Sequence, residues 1–391
     1  MKITKSIFGK EREELEKFNK LDLNERSIVF YSEDISSFVH FEQIIHELTE
    51  KMECQICYVT SAKDDPILNS QNKRIKAFYI GLGAIRTKFF MELKAEVLVM
   101  TMPSLETYFI KRSRVYPVHY VYVFHSIVSS HTIYRKGAFD HFNSIFCVGP
   151  HHIEEINATE SVYNLNHKNL VAYGYGLLDK LQKSKSLKNQ EVYTKDDKKK
   201  ILVAPSWGKK GLLETKGLEL VKILLDANYH VSVRPHPMTI RKQPKIIKKI
   251  ESEFKDNTNF EMETDVSSFE SLYSAYGLIS DWSGIAMEYA FVCELPVIYI
   301  DGLQKINNTS YDKISCKPLE VSIRNLIGKV ISPNELKSLP KIIESTYESI
   351  DLFKTKIQEV RSKTVFNLGQ SGIKGAQEIV KILHEKKLSK N

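Results

Sequence analysis

YGLISDWSGIAMEYAFVCELPVIYID, from Tyr276 to Asp301, reads as a short buried strand (Gly277 to Ile279), a polar turn (Ser280 to Gly284), a helix (Ile285 to Val292) and a second strand opened by Pro296. Strand, turn and helix N-terminus in that order make an anion site. The first backbone N–H groups of a helix have no partner inside it, and the helix dipole turns its positive end toward them. A phosphate suits the place. Ser280, Asp281 and Ser283 are residue types that cap such a helix, and Gly284 lets a ligand approach the backbone. Glu288, four residues after Gly284 and on the same face, is within reach of a ribose hydroxyl. An ordinary capped helix with Glu288 in water fits equally well until the neighbouring segments are read.

Those neighbours repeat the pattern. Upstream, KKILVAPSW gives a strand from about Lys200 to Ala204, followed by a helix from Leu213 to Ala227 and the strand HVSVRP. A lysine-rich helix from Arg241 to Phe254, a short strand at Phe260 and a helix from Phe269 to Tyr276 lead into the opening stretch. Uninterrupted βα units of this kind build a doubly wound parallel sheet, whose ligands sit beyond the C-terminal ends of the strands. The first half alternates in the same way. RSIVFYSED, CQICYVTS, IKAFYI, AEVLVMT, HYVYVFH and FNSIFCVG are its strands, with helices around His40 to Leu48 and Thr87 to Leu93. Between the halves, KLQKSKSLKNQEVYTKDDKKK from Lys180 to Lys200 is almost devoid of apolar residues and cannot bury a core. The chain therefore divides into an N-terminal Rossmann-like domain over 1–180, a charged linker over 181–199, a C-terminal Rossmann-like domain over 200–365 and a terminal helix over 366–391.

A length of 391 residues suits two such domains, and 42% apolar with 27% charged residues describes a globular α/β protein. No run of 18 or more apolar residues is present, and MKITKSIFGKEREELEKF lacks a signal-peptide core, so a cytoplasmic protein is expected. Five cysteines, an odd number, fit a reducing compartment. Cys54 and Cys57 form a C-x-x-C, but within a strand and without a second pair, so they read as core. The net charge of +8 comes with no nucleic-acid-binding motif, and nucleic acid is not an expected partner. The basic first helix and the lysine-rich C-terminus suit either peripheral contact with an anionic membrane or plain solvated faces.

Post-strand loops carry the candidate chemistry. In PSWGKKG, Ser206, Lys209 and Lys210 lie on a glycine-flanked loop able to wrap an anion or to serve as a plain basic turn. In RPHP, two prolines pin the backbone around His236, so that Arg234 and His236 can donate to phosphate oxygens as a leaving nucleotide gains charge. In the first domain His125 ends an apolar strand, where an imidazole can take a proton from an attacking hydroxyl. Arg135 and Lys136 in the following loop suit an anionic acceptor or leaving group. His131, His141, His151 and His152 are nearby, which leaves the choice of base open. His151 and His152, after Gly149-Pro150, look like caps or surface residues. No acidic cluster is spaced for Mg²⁺ or Ca²⁺, and no G-x-G-x-x-G follows a strand.

Assembled in order, these blocks resemble the CDP-glycerol glycerophosphotransferase family of teichoic-acid primases and polymerases. The blocks are HSIVSSHTIYRKGAFDHFNSIFCVGPHH, VAPSW, RPHP, SDWSGIAMEYAF with LPVIYID, and FNLGQSGIKGAQEIV, which together span His125 to Val380. The resemblance implies a GT-B fold, with the second domain binding a CDP donor and the first presenting the acceptor. It implies no cofactor and no bound metal, with CDP-glycerol as donor substrate and a lipid-linked or polymeric glycan as acceptor. It also implies His125 as base, His236 at the donor phosphates, and Ser280, Asp281, Ser283 and Glu288 in the donor motif. The family often has tryptophan before and glycine after the first histidine, where this chain has Phe124 and Ser126. A GT-B glycosyltransferase using a CMP- or UDP-sugar, and a nucleotide-binding assembly protein without catalysis, stay open as alternatives.

Overall fold

Strands whose residues are apolar on both faces must be covered on both faces, and the β-branched and aromatic runs of this chain are buried at nearly every position. The computed structural model describes residues 3–107, 109–187, 199–208, 210–265 and 268–388. The first sheet contains β1 (Ile28–Ser32), β2 (Ile56–Thr60), β3 (Ile75–Tyr79), β4 (Val97–Met100), β5 (His119–Val123), β6 (Ser144–Cys147) and β7 (Asn169–Ala172). All pairings are parallel, in the order β3-β2-β1-β4-β5-β6-β7. The second contains β8 (Lys200–Val203), β9 (His230–Val233), β10 (Phe260–Met262), β11 (Gly277–Ser280), β12 (Val297–Ile300) and β13 (Gly328–Ile331). It too is parallel, in the order β10-β9-β8-β11-β12-β13. Both are doubly wound, with the chain changing direction between β1 and β4 and between β8 and β11.

The register aligns the site. Val203 pairs with Val233 on one side and Ile279 on the other, so the loops after β8, β9 and β11 leave the sheet side by side. The decisive stretch forms β11, the helix Gly284–Cys293 and β12. That helix is buried from Ala286 to Cys293, as its apolar residues on every face require.

Three sequence expectations are corrected. The lysine-rich helix is two helices, Pro237–Lys242 and Pro244–Phe254, because Pro244 has no N–H to continue the first. The edge strands β7 and β13 were not read from the sequence. The helix Gly176–Leu187 runs into the segment read as linker; residues 188–198 lie outside the described part of the chain. That helix ties the two halves together, since Lys180 Nζ donates to Glu42 (2.6 Å) and Lys185 Nζ to the Val292 and Cys293 carbonyls (3.1 Å each).

The chain then returns to the first domain. Phe366 N–H donates to the Val148 carbonyl at 2.9 Å, and Asp179 accepts from the Gly369 and Ser371 N–H groups. The helix Ser371–Leu388 lays Ala376, Ile379, Ile382 and Leu383 onto a core shared with Phe41, Ile44 and Ile45. Among the described residues no helix is long and apolar enough to cross a membrane.

Candidate active site

His125 follows β5 and is half-buried. Its hydrogen bond to the Thr101 backbone and the nearby Asp34 charge favour the imidazolium, but loss of hydration outweighs both and pushes its pKa below the ordinary value. Tyr122 Oη lies 3.3 Å from His125 Nδ1, and the rings of His40 and Tyr134 stand edge-on at 5.9 and 5.8 Å. The cage keeps a neutral imidazole in a fixed pose.

The loop beyond it is fastened from behind. His151 Nε2 and His152 Nε2 donate to the carbonyls of Ile127 (2.8 Å) and Val128 (2.9 Å). These histidines are therefore props under the His125 loop, and the expectation of caps or surface residues is corrected: Gly149 makes no side-chain cap and His152 is fully buried. His131 is buried beside Glu155, 3.2 Å from nitrogen to oxygen. The next turn, Ser130–Ile133, is held by the second domain. Glu320 accepts from Ser129 N–H (3.0 Å), while the side chains of Asn307 and Asn308 donate to the Ile133 and His131 carbonyls (2.8 Å each).

The two domains meet where the helix Gly284–Cys293 begins. Gly284 faces Ser126: a Cβ at position 284 would stand 2.8 Å from Ser126 Oγ. The start of that helix and the His125 loop thus meet across the domain boundary. Glu288 is buried and accepts a 2.8 Å hydrogen bond from Tyr175 Oη, whose oxygen also lies 3.2 Å from the His125 carbonyl. Burial raises the Glu288 pKa, opposed by Tyr175 and the Arg234 charge.

Asp281 accepts from Ser206 N–H (2.7 Å) and Ser206 Oγ (3.0 Å), which locks the β8 and β11 loops together. Ser280 Oγ donates to the Ala204 carbonyl at 2.7 Å and is fully buried, so it staples strands. Ser283 is the N-cap residue but makes no side-chain cap, which corrects the capping expectation for this trio.

His236 Nδ1 accepts from Met238 N–H at 3.0 Å, capping the helix Pro237–Lys242. Nε2 therefore carries the proton of the neutral ring and is the donor available to a ligand. Burial, helped by Lys305, lowers the His236 pKa to about 3. Arg234 is buried and bonded to Glu263, the Ser268 carbonyl (2.7 Å) and Ser271 Oγ (3.2 Å). It braces the loop.

Lys210 lines a cavity with Ser206 and Asp281; Lys209 lies outside the described residues. Arg135 and Lys136 are exposed and line a hollow with Glu160, Tyr163 and Lys168, where Lys136 Nζ sits 4.0 Å from the Tyr163 ring centre. His125 does not line that hollow. Sequence reading missed Tyr175, whose hydroxyl joins the domains, and Lys305, which follows β12 in the same kind of post-strand loop as the residues it did single out. Among the described residues no group of three His, Cys, Asp or Glu side chains is placed to hold a metal ion.

A family model described as CDP-Glycerol:Poly(glycerophosphate) glycerophosphotransferase matches residues 15–305. The chain belongs to that family. The matched range runs from the first helix through β12 and the loop carrying Lys305 and so takes in the loops just described; the block at 366–380 lies beyond it. No curated protein matches its sequence. In structure the chain is similar to the wall teichoic acid polymerase TagF soaked with CDPG, with TM-score 0.62 and 14% identity over 98% of this chain and 96% of that one. It is also similar to a UDP-GlcNAc 2-epimerase of Methanocaldococcus jannaschii in complex with UDP-GlcNAc and UDP (TM-score 0.56, 14% identity, 92% and 99% covered). A glycosyltransferase of Rickettsia africae gives TM-score 0.54 and 13% identity, with 92% and 99% covered. These likenesses show the GT-B fold expected from the sequence.

Proposed function

We propose that this glycerophosphotransferase-family protein moves glycerol phosphate from CDP-glycerol to a hydroxyl of a polymeric or lipid-linked glycan, releasing CMP. One observation carries the reading: the loop of the half-buried His125 meets, across the domain boundary, the helix N-terminus at Gly284 that Ser283 does not cap. The acceptor hydroxyl gives its proton to His125 as its oxygen bonds to the β-phosphorus. The bond from that phosphorus to the bridging oxygen breaks, and CMP leaves with the electron pair. His236 Nε2–H, the helix N–H groups and the lysines of the second domain meet the growing charge, so positioning and electrostatics supply the catalysis.

The test offers CDP-glycerol, CDP-ribitol and UDP-sugars with a bacterial glycolipid extract and scores release of CMP or UDP. CMP release from CDP-glycerol, abolished in His125→Ala with unchanged circular dichroism, is the expected result. Preference for a sugar nucleotide overturns the transferred group, and near-normal turnover in the variant removes His125 from the mechanism.

A further inference from the structure

The loop after β12 closes a cavity of about 250 Å³ over the ends of β8, β11 and β12. Lys210, Gln304 and Lys305 line it, with Ser206 and Trp207. Asp281 lines it too, but its oxygens already accept from Ser206 N–H and Oγ. The Lys242 and Lys305 ammonium groups stand 4.8 and 4.7 Å from the centre of the Trp207 ring. Among the described residues none of Lys210, Lys242 and Lys305 has a salt-bridge partner. Gln304 Nε2 is a buried donor without an acceptor. Lys210 and Lys242 are exposed, so the burden falls on the Lys305 ammonium and the unmet Gln304 amide, which are unfavourable in a partly desolvated hollow until an anion with several acceptor oxygens enters. Burial lowers the Lys305 pKa to about 8 against the pull of Asp281, as expected of an ammonium short of counter-charge.

We propose that Lys305, Gln304 and Lys210, grouped around Trp207, form a phosphate-binding subsite separate from the helix N-terminus at Gly284, and that it holds a second phosphate group of the substrate pair. The donor's diphosphate and a phosphodiester of the acceptor offer the same chemistry. The assignment rests on the reading of the cleft as one for phosphate-bearing substrates.

Two measurements test it. In the first, the full chain is labelled at pH 8 with a trace amine-acetylating reagent, with inorganic pyrophosphate or with chloride at matched ionic strength, and each lysine is quantified by mass spectrometry. Selective protection of Lys305 by pyrophosphate, retained in His125→Ala, supports the subsite; equal labelling in both salts overturns it. In the second, Lys305→Met is compared with wild type in transfer kinetics. Loss of one charge-assisted contact raises KM by about 10- to 100-fold. A rise for CDP-glycerol alone places the donor's diphosphate there, a rise for the acceptor alone places the acceptor's phosphodiester, and unchanged KM for both overturns the assignment. If CDP-glycerol proves not to be the donor, the labelling result still decides the subsite.

Discussion

His236 uses its two nitrogens differently, and substitutions can separate them. Nδ1 caps the helix Pro237–Lys242 through Met238 N–H, which leaves Nε2 as the donor that the proposed mechanism turns to a phosphate oxygen. His236→Asn keeps an acceptor at the cap and loses the donor in its place. Its urea midpoint is expected to stay near wild type, while CMP release falls about 10- to 100-fold, the scale of one charge-assisted hydrogen bond. His236→Ala loses both, so its stability is expected to drop as well by about 1 kcal/mol, as for other caps. Equal stability loss in both variants would make the cap irrelevant. On the proposed mechanism His125 sets the pH profile. Its pKa is lowered by loss of hydration, so the basic form survives to lower pH than a free imidazole allows. The acid limb of kcat/KM is expected below about pH 6.5, the unperturbed value, and a limb above that pH would contradict the burial argument.

At the scale of elements, the helix Gly284–Cys293 decides the meeting of the domains. Gly284→Ala would place a methyl 2.8 Å from Ser126 Oγ, closer than real contacts allow, so either the Ser126 side chain turns or the helix and the His125 loop part, and the second is expected. Misplacement of reacting groups by about 1 Å can cost 100-fold in rate. Transfer in Gly284→Ala is expected to fall on that scale, and Ser126→Ala in the same chain, by removing Oγ, to restore most of it. Failure of the second substitution to rescue would point to the backbone at 284 and away from the interdomain contact. These elements were legible because each strand is a continuous apolar run and each βα unit is uninterrupted, which fixed the sheets and the loops beyond them. The edge strands were not. NLVA before β7 ends is half-exposed and GKVI has an exposed lysine, so neither shows the fully apolar signature. Arg234 looked like a phosphate donor because sequence shows its residue type and its place after β9; its partner Glu263 stands 29 residues away. Lys305 escaped notice although Gly302 marks its loop as a turn, because sequence shows neither the burial of a lone lysine nor the Trp207 ring that the fold sets beside it.

Across the whole molecule, one hydroxyl stands between the His125 loop and the second domain, beside the Glu320, Asn307 and Asn308 contacts. Tyr175 Oη lies 2.8 Å from Glu288 Oε1 and 3.2 Å from the His125 carbonyl oxygen, and one O–H proton cannot serve both. The proton goes to Glu288, at the shorter distance; burial raises the Glu288 pKa, and this hydrogen bond opposes the rise. Tyr175→Phe removes the shared atom, leaving a buried carboxyl and a carbonyl without their partner at about 1–3 kcal/mol each. Because the two acceptors belong to different domains, the loss is expected to appear between domains more than within either. Hydrogen exchange should speed up in the His125 loop and at the start of the helix Gly284–Cys293, with β1, β4, β8 and β11 protected as before. Transfer should fall together with it. Uniformly faster exchange through the first sheet would instead mark Tyr175 as ordinary core, and unchanged exchange at both cleft faces would show that the domains are held by the Glu320, Asn307 and Asn308 contacts without it.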